Sequence, residues 1–236
     1  MNKSTIMRNL FTILFWLLLS VAPVFAADFQ KGWEAYQRGD FATALQKWRP
    51  LAEQGDGRAQ FNLGIMYDRG NGVAEDDKQA VYWYRKAAEQ GESSAQSNLG
   101  IMYADGDGVA EAATQAVYWY RKAAEHGYAK AQYNLGYMYA NSNGVAKDYT
   151  QAVYWYRKAA EQGHAWAQSN LGLMYLKGEG VAEDYILAYK WANLAAAQGY
   201  KNAANMKKQL RKRMTRAQIA EAQRLSREWS PKQYGE

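Results

Sequence analysis

The 236-residue chain contains no cysteine. That excludes disulfides and thiolate zinc sites, so packing alone has to hold the fold together. Only three prolines occur, which leaves long stretches free to run as helix. The most apolar run, Leu10 to Leu19, is about ten residues long, half of the roughly 20 needed to span a bilayer as a helix. The two histidines, His126 and His164, lie 38 residues apart with no acidic cluster beside either, so they offer no ligand set for a metal. There is no nucleophile motif, no H-E-x-x-H and no glycine loop of the kind that follows a strand and cradles phosphate. A non-enzyme is expected, without cofactor, metal or small-molecule substrate. Lysine and arginine total 29 against 23 acids, a net +6; that excess is too mild to imply a nucleic-acid partner.

Residues 1–26 read as an export signal. Lys3 and Arg8 precede the apolar run, and Val24-Phe25-Ala26 gives a small-x-small cleavage site. Cleavage after Ala26 is expected, with retention as an anchor the alternative. No cysteine follows the cleavage point to carry a lipid.

The dominant feature is a period of 36 residues. Leu63, Leu99, Leu135 and Leu171 keep that step, as do Gly64, Gly100, Gly136 and Gly172, Tyr67, Tyr103, Tyr139 and Tyr175, and Trp83, Trp119, Trp155 and Trp191. Within one copy, Ala59, Leu63, Met66 and Tyr67 fall on one helical stripe. Gly70 and Gly72 provide a turn, and Asp76 is placed to cap a second helix through its carboxylate. In that helix Ala80, Trp83, Tyr84, Ala87 and Ala88 share a face, and Gly91 ends it. A single pair cannot cover its own stripe, so the copies must stack. Four copies are delimited: 59–94, 95–130, 131–166 and 167–202. Residues 27–58, with Ala35-Tyr36, Ala44-Leu45 and Trp48, form a degenerate helix pair that caps the array. Residues 203–236 supply capping helices; Met206, Leu210 and Met214 mark one, and Thr215 starts another running to Trp229 with Ile219 and Leu225 inward. Copy three has Ser142 where the others have glycine, so either Ser142 or its neighbours Asn141 and Asn143 must take the bend. Copy two lacks the acidic cap, and Thr114 is expected to substitute. Copy four carries Ala192-Asn193-Leu194 in place of Tyr-Arg-Lys, which points to packing against the C-terminal helices.

The blocks A-Q-x-N-L-G, G-x-G-V and A-x-x-W-Y-x-K-A-A-x-x-G, at fixed spacing over about residues 59–200, resemble the Sel-1-like repeat, a relative of the tetratricopeptide repeat. The resemblance implies an all-α solenoid, a right-handed superhelix of antiparallel helix pairs, acting as an adaptor or scaffold. It also implies that first helices line the concave surface.

Positions that recur maintain the fold; outward positions that vary are candidates for reading a partner. On the first helices the outward angles carry Phe61, Ile65 and Asp68; Ser97, Ile101 and Ala104; Tyr133, Tyr137 and Ala140; and Ser169, Leu173 and Leu176. These are apolar for solvent-facing sites. They form either a groove that receives a protein segment or surface covered by neighbouring helices. Asn62, Asn98, Asn134 and Asn170 form a ladder on the same helices. By the resemblance it binds a peptide backbone or carboxylate; otherwise each amide caps its own glycine turn. Tyr82, Tyr118 and Tyr154 beside Arg85, Arg121 and Arg157 read as a second contact strip or a solvated face. From Lys201 to Arg216 there are seven basic residues and no acid, among them Lys207, Lys208, Arg211, Lys212 and Arg213. That run is either an ordinary solvated face or a patch for anionic lipid or an acidic partner.

The expected function is thus an exported, periplasmic adaptor that binds another protein through its concave face. A secreted or surface-exposed host-interaction factor is the alternative. Some exported relatives rich in cysteine are linked to penicillin binding and β-lactamase activity, but the cysteines they pair are absent here.

Overall fold

The computed structural model describes residues 27–232. The expected export segment, with its cleavage after Ala26, lies outside the described residues, as do residues 233–236 of the C-terminal cap. Every regular element among the described residues is a helix, and the fold is an all-α solenoid. The chain divides into two compact units, one ending at Glu92 and one beginning at Ser93.

The first unit holds α1 (27–37), α2 (Phe41–Glu53), α3 (Gly57–Asp68) and α4 (Asp77–Glu89). The first two are the helix pair expected ahead of copy one. Asp40 starts α2 by accepting from the Thr43 amide at 3.1 Å. Trp48 is fully buried among Ala35, Ala44, Leu63 and Met66, and its indole N–H donates to the Phe29 carbonyl at 3.2 Å. Of the anticipated stripes, Ala59, Leu63 and Met66 on α3 are buried, with Tyr67 half-buried, and so are Ala80, Trp83, Tyr84, Ala87 and Ala88 on α4. Asp76 caps α4 through the Gln79 amide at 3.0 Å, as its position predicts.

The second unit repeats that plan. It comprises α5 (Ser93–Asp105), α6 (Ala113–Glu125), α7 (Ala129–Asn141), α8 (Tyr149–Glu161), α9 (Ala165–Lys177), α10 (Tyr185–Ala197), α11 (Lys201–Leu210) and α12 (Arg216–Arg227). The helix α7 packs on its own partner α8 and on the preceding second helix α6; α9 does the same with α10 and α8. One continuous core results, built from Leu135, Met138, Tyr156, Leu171, Met174, Tyr189 and their alanine neighbours. Asp148 and Asp184 cap α8 and α10 with their carboxylates, each contributing about 1 kcal/mol. In copy two Thr114 does not take that role. It lies inside α6, and Ala112 stands at the cap with no side-chain bond to the first turn.

The turns of copies three and four join each to the copy before it. Gly144 and Gly180 have positive φ and lie against the backbone of the first turn of α6 and α8 respectively, where any Cβ would collide with main-chain atoms. Two residues before Gly144, Ser142 itself adopts the left-handed conformation, at φ 58° and ψ 37°; Asn141 and Asn143 leave the bend to it.

A buried glutamine in α3, α7 and α9 ties three helices together. Gln132 is almost fully buried. Its amide donates to the Ala124 carbonyl at the end of α6, at 3.1 Å. Its carbonyl accepts from Gln162, just past α8, at 2.7 Å, and Gln162 also donates to the Gly127 carbonyl at 2.8 Å. The Ala124 carbonyl also accepts from the Gly127 amide of its own turn at 3.1 Å, so the glutamine fills the second acceptor site of an oxygen at a helix end. One copy later, Gln168 and Gln198 repeat it on Ala160 and Gly163. In the first unit, Gln60 donates to Ala52 and accepts from Gln90.

Beyond copy four, α11 and α12 pack on α10. The substituted positions are what they cover: Ala192 is fully buried, and Asn193 accepts from the Lys207 ammonium at 3.0 Å. Thr215 and Gln218 form a reciprocal capping box. The last helix ends at Arg227, short of Trp229, and buries Ala222 and Ser226 more deeply than Ile219 and Leu225.

Two substitutions test this account in urea melts. Gln132→Leu removes the second bond to the Ala124 carbonyl and leaves the Gln162 amide with Gly127 alone, and should cost about 1 kcal/mol. Ser142→Gly relieves the left-handed residue and should gain about 1 kcal/mol.

Candidate functional site

Within the second unit, the first turns of α7 and α9 enclose a cleft of about 300 Å³ lined by Lys130, Tyr133, Asn134, His164, Ala165 and Trp166. The Tyr133 ring stacks on the His164 imidazole, with centroids 4.9 Å apart and planes 23° apart. It meets the Trp166 indole edge-on at 5.6 Å. Trp166 in turn lies 6.4 Å from the ring of Tyr200, the residue that precedes α11. One helical turn along from Tyr133, Tyr137 is 46% exposed; Trp166 is 54% exposed. Lys130 is exposed and has no ion pair among the described residues.

His164 does two jobs here. Its Nδ1 accepts from the Ala167 amide at 3.3 Å, so the ring caps α9 only while that nitrogen is unprotonated. Burial, then the neighbouring Lys130, holds its pKa below the ordinary 6.5. Burial, and then the Tyr200 and Tyr137 side chains, raise the pKa of Tyr133, so its hydroxyl stays neutral.

This place is where the copies depart from their own pattern. The position of Lys130 and Trp166 is held by Arg58 and Ser94 in the other copies. Tyr133 corresponds to Phe61, Ser97 and Ser169, and Tyr137 to Ile65, Ile101 and Leu173. The largest exposed rings of these first helices therefore gather at one junction between copies. Trp166, His164, Lys130 and Tyr200 were not among the residues expected from sequence. The signal for Trp166 was a tryptophan at a position otherwise polar.

The other expected positions are less open than the sequence suggested. Ser97, Ser169 and Ala140 are buried, and Ile65, Ile101 and Leu173 are half-buried. A first helix in this fold covers two stripes, one on its own partner and one on the preceding copy, which leaves a narrow open arc. Asn62 is buried and Asn98 half-buried. Asn134 and Asn170 hydrogen-bond the hydroxyls of Tyr120 and Tyr156 on the preceding second helices, so these two amides serve neither as caps for their own turns nor as a free ladder. Phe61 is half-buried in the first unit, 5.9 Å from the Tyr84 ring. With Phe29, Trp33 and Arg58 it lines a separate cleft of about 340 Å³. There Arg58 is already engaged, 3.1 Å from Asp56 and 4.3 Å above the Phe29 ring.

The tyrosines of the second-helix strip are exposed, and Lys86, Lys122 and Lys158 lie over the rings of Tyr82, Tyr118 and Tyr154. Arg121 and Arg157 reach across to the hydroxyls of Tyr139 and Tyr175, at 2.8 and 2.9 Å. Of the basic run, Lys208, Arg211, Lys212 and Arg213 are exposed, whereas Lys207 is half-buried on Asn193.

The Sel1 repeat family model matches residues 57–92, 93–128, 129–164 and 167–200. A protective antigen present in uropathogenic Escherichia coli strains, displaying an SLR fold, is 37% identical with a TM-score of 0.79, over 87% of this chain and 45% of its own. The chain thus spans less than half the length of that antigen. A Sel1 repeat protein from Oxalobacter formigenes is 38% identical with a TM-score of 0.69, over 74% of this chain and 72% of its own. An immunity protein from Pseudomonas aeruginosa, 21% identical with a TM-score of 0.51 over 87% of this chain and 83% of its own, shares the fold alone. No curated protein matches.

The protonation of His164 gives a pH test. The folded state refuses a proton that the unfolded state accepts, so this group's contribution is intact above about pH 6.5 and is lost progressively as the pH falls below that value through the lower pKa of the folded state. His164→Asn keeps a capping acceptor without a titrating ring. The thermal midpoint of the native chain should fall further than that of His164→Asn between about pH 7.5 and 5.5.

Proposed function

The chain belongs to the Sel1 repeat family, whose members mediate protein–protein interaction, and on that premise we propose that it is a non-catalytic adaptor, exported to the bacterial envelope, that captures a protein through the face of its first helices. The observation that carries this reading is Trp166. More than half of the residue is open to solvent, and it is grouped with Tyr133, Tyr137 and Tyr200 at a position the repeat does not need to be aromatic. Exposed aromatic groups of this kind are the usual anchors of protein interfaces.

Export is supported by the charged start, apolar run and small-x-small site of residues 1–26. The absence of a nucleophile motif supports a binding role over catalysis. A second reading, a secreted or surface-exposed factor, draws on the similar Escherichia coli protein described as a protective antigen. Protease accessibility on intact cells distinguishes that location from the periplasm. The exposed basic run around Arg211 supports an auxiliary contact with an anionic surface.

The test is crosslinking and pull-down from the native envelope, comparing the native chain with Trp166→Ala and Tyr137→Ser. Both side chains are exposed, so circular dichroism and thermal midpoint should be nearly unchanged. Capture of a specific protein should weaken at least about thirtyfold in Trp166→Ala, as for the loss of an interface anchor. Equal capture by all three proteins, or hydrolysis of a penicillin by the native chain, overturns the proposal.

A further inference from the structure

We propose that the cleft between α7 and α9 takes an extended, acidic segment of the partner protein, seating one planar side chain against Tyr133 and Trp166 with a neighbouring carboxylate at Lys130. This rests on the protein-binding reading above and adds the chemistry of what is bound.

Size comes first. A space of about 300 Å³ accommodates a single large side chain and lies at the small end of ligand pockets. It is too small for a helix laid into it, so the bound segment presents one residue at a time. The walls decide which residue. Tyr133 is backed by His164 and flanked edge-on by Trp166, which sets two ring systems steeply to one another. A flat group, an aromatic ring, fits such a corner by offset or edge-to-face contact.

Charge decides its neighbour. No carboxylate lines the cleft. Asn134 is engaged with Tyr120, and His164 uses Nδ1 to cap α9 and is held neutral at pH 7. That leaves the exposed Lys130 ammonium as the cleft's one fixed charge, beside an apolar surface that lowers the local dielectric. Complementarity therefore selects an acidic side chain adjacent to the planar one. The first unit supplies an internal contrast. Its cleft has an aromatic wall and a cation too, but Arg58 is already paired with Asp56, and Glu92 lines the same space. The same preference is not expected there.

The experiment uses the purified protein and a synthetic array of acetylated, amidated octapeptides. One central position varies among Trp, Tyr, Phe, Pro and Ala, and its two neighbours among Glu, Gln and Lys. Retained peptides are then measured by titration calorimetry. Peptides with a planar residue flanked by Glu should bind, and their Gln versions should be about fivefold weaker, the size of one partly exposed ion pair. Lys130→Gln should erase that difference while leaving the Gln peptides unchanged. Trp166→Ala should abolish binding of both, and Arg58→Gln should alter neither. Equal affinity for Glu and Gln versions, or a Glu preference that survives Lys130→Gln, overturns the proposal. So does an array with no binder when Trp166→Ala still costs capture from the envelope; that pattern removes the acidic-segment chemistry and leaves the adaptor reading standing. A short oligosaccharide bound at Trp166 with no dependence on Lys130, in place of any peptide, overturns it as well.

Discussion

A buried amide makes the stack possible. The last carbonyls of α2, α6 and α8 accept one backbone bond each from the turn that follows, and the buried Gln60, Gln132 and Gln168 of the next first helix supply a second. A buried glutamine amide left without these partners would cost roughly 1–3 kcal/mol. Gln132 meets the end of α6 with its N–H and offers its oxygen to Gln162, which has just left α8. The glutamine pair therefore does what water would do at an isolated helix end. It does so only when three helices are in register, so the polar bond specifies alignment while the apolar stripes supply most of the attraction.

Around that link, close approach follows from small residues. A Cβ on Gly136 would lie 2.8 Å from the Tyr156 ring, so the missing side chain is what seats the tyrosine. The tyrosine hydroxyl then reaches Asn170 of the following copy. A glycine, a tyrosine and an asparagine at fixed spacing thus form one relay across copies. The recurrence of all three is a consequence of packing, which is why the asparagines are unsuited to mark a binding surface.

Much of the architecture was legible in the period of 36 residues. Leu63, Trp83 and the glycine turns fall where a helical stripe and a turn require them, and Asp76, Asp148 and Asp184 cap as their positions predict. The functional surface was less legible, for a physical reason. Helical angle alone says which residues face away from a partner helix, but in a stack each first helix has two partners. Ser169, on a helix packed against both α10 and α8, is buried, as is Ser97. Recurrence reports the fold, and departure from recurrence picks out the candidate site. Trp166 was visible in the sequence as a tryptophan in the place of Arg58, Ser94 and Lys130, yet only the folded chain shows it beside Tyr133. Gln132 was equally visible and equally silent, since a recurring polar residue inside a helix says nothing of its partners until the neighbouring copy is in place.

The end of the array has its own logic. The tail folds back so that the Lys232 amide donates to the Glu161 carbonyl at 2.7 Å, and Trp229 rests near Gly163 and against Trp191. These contacts, with Ala192 and Asn193 under α11 and α12, make copy four and the closing helices a matched set. Lengthening such a protein by duplication has one permissive route. New copies can enter upstream, between interchangeable neighbours, while an addition after residue 200 would meet a seat already taken and a surface made for a different occupant. The closing helices thus set the direction in which the family can grow this chain.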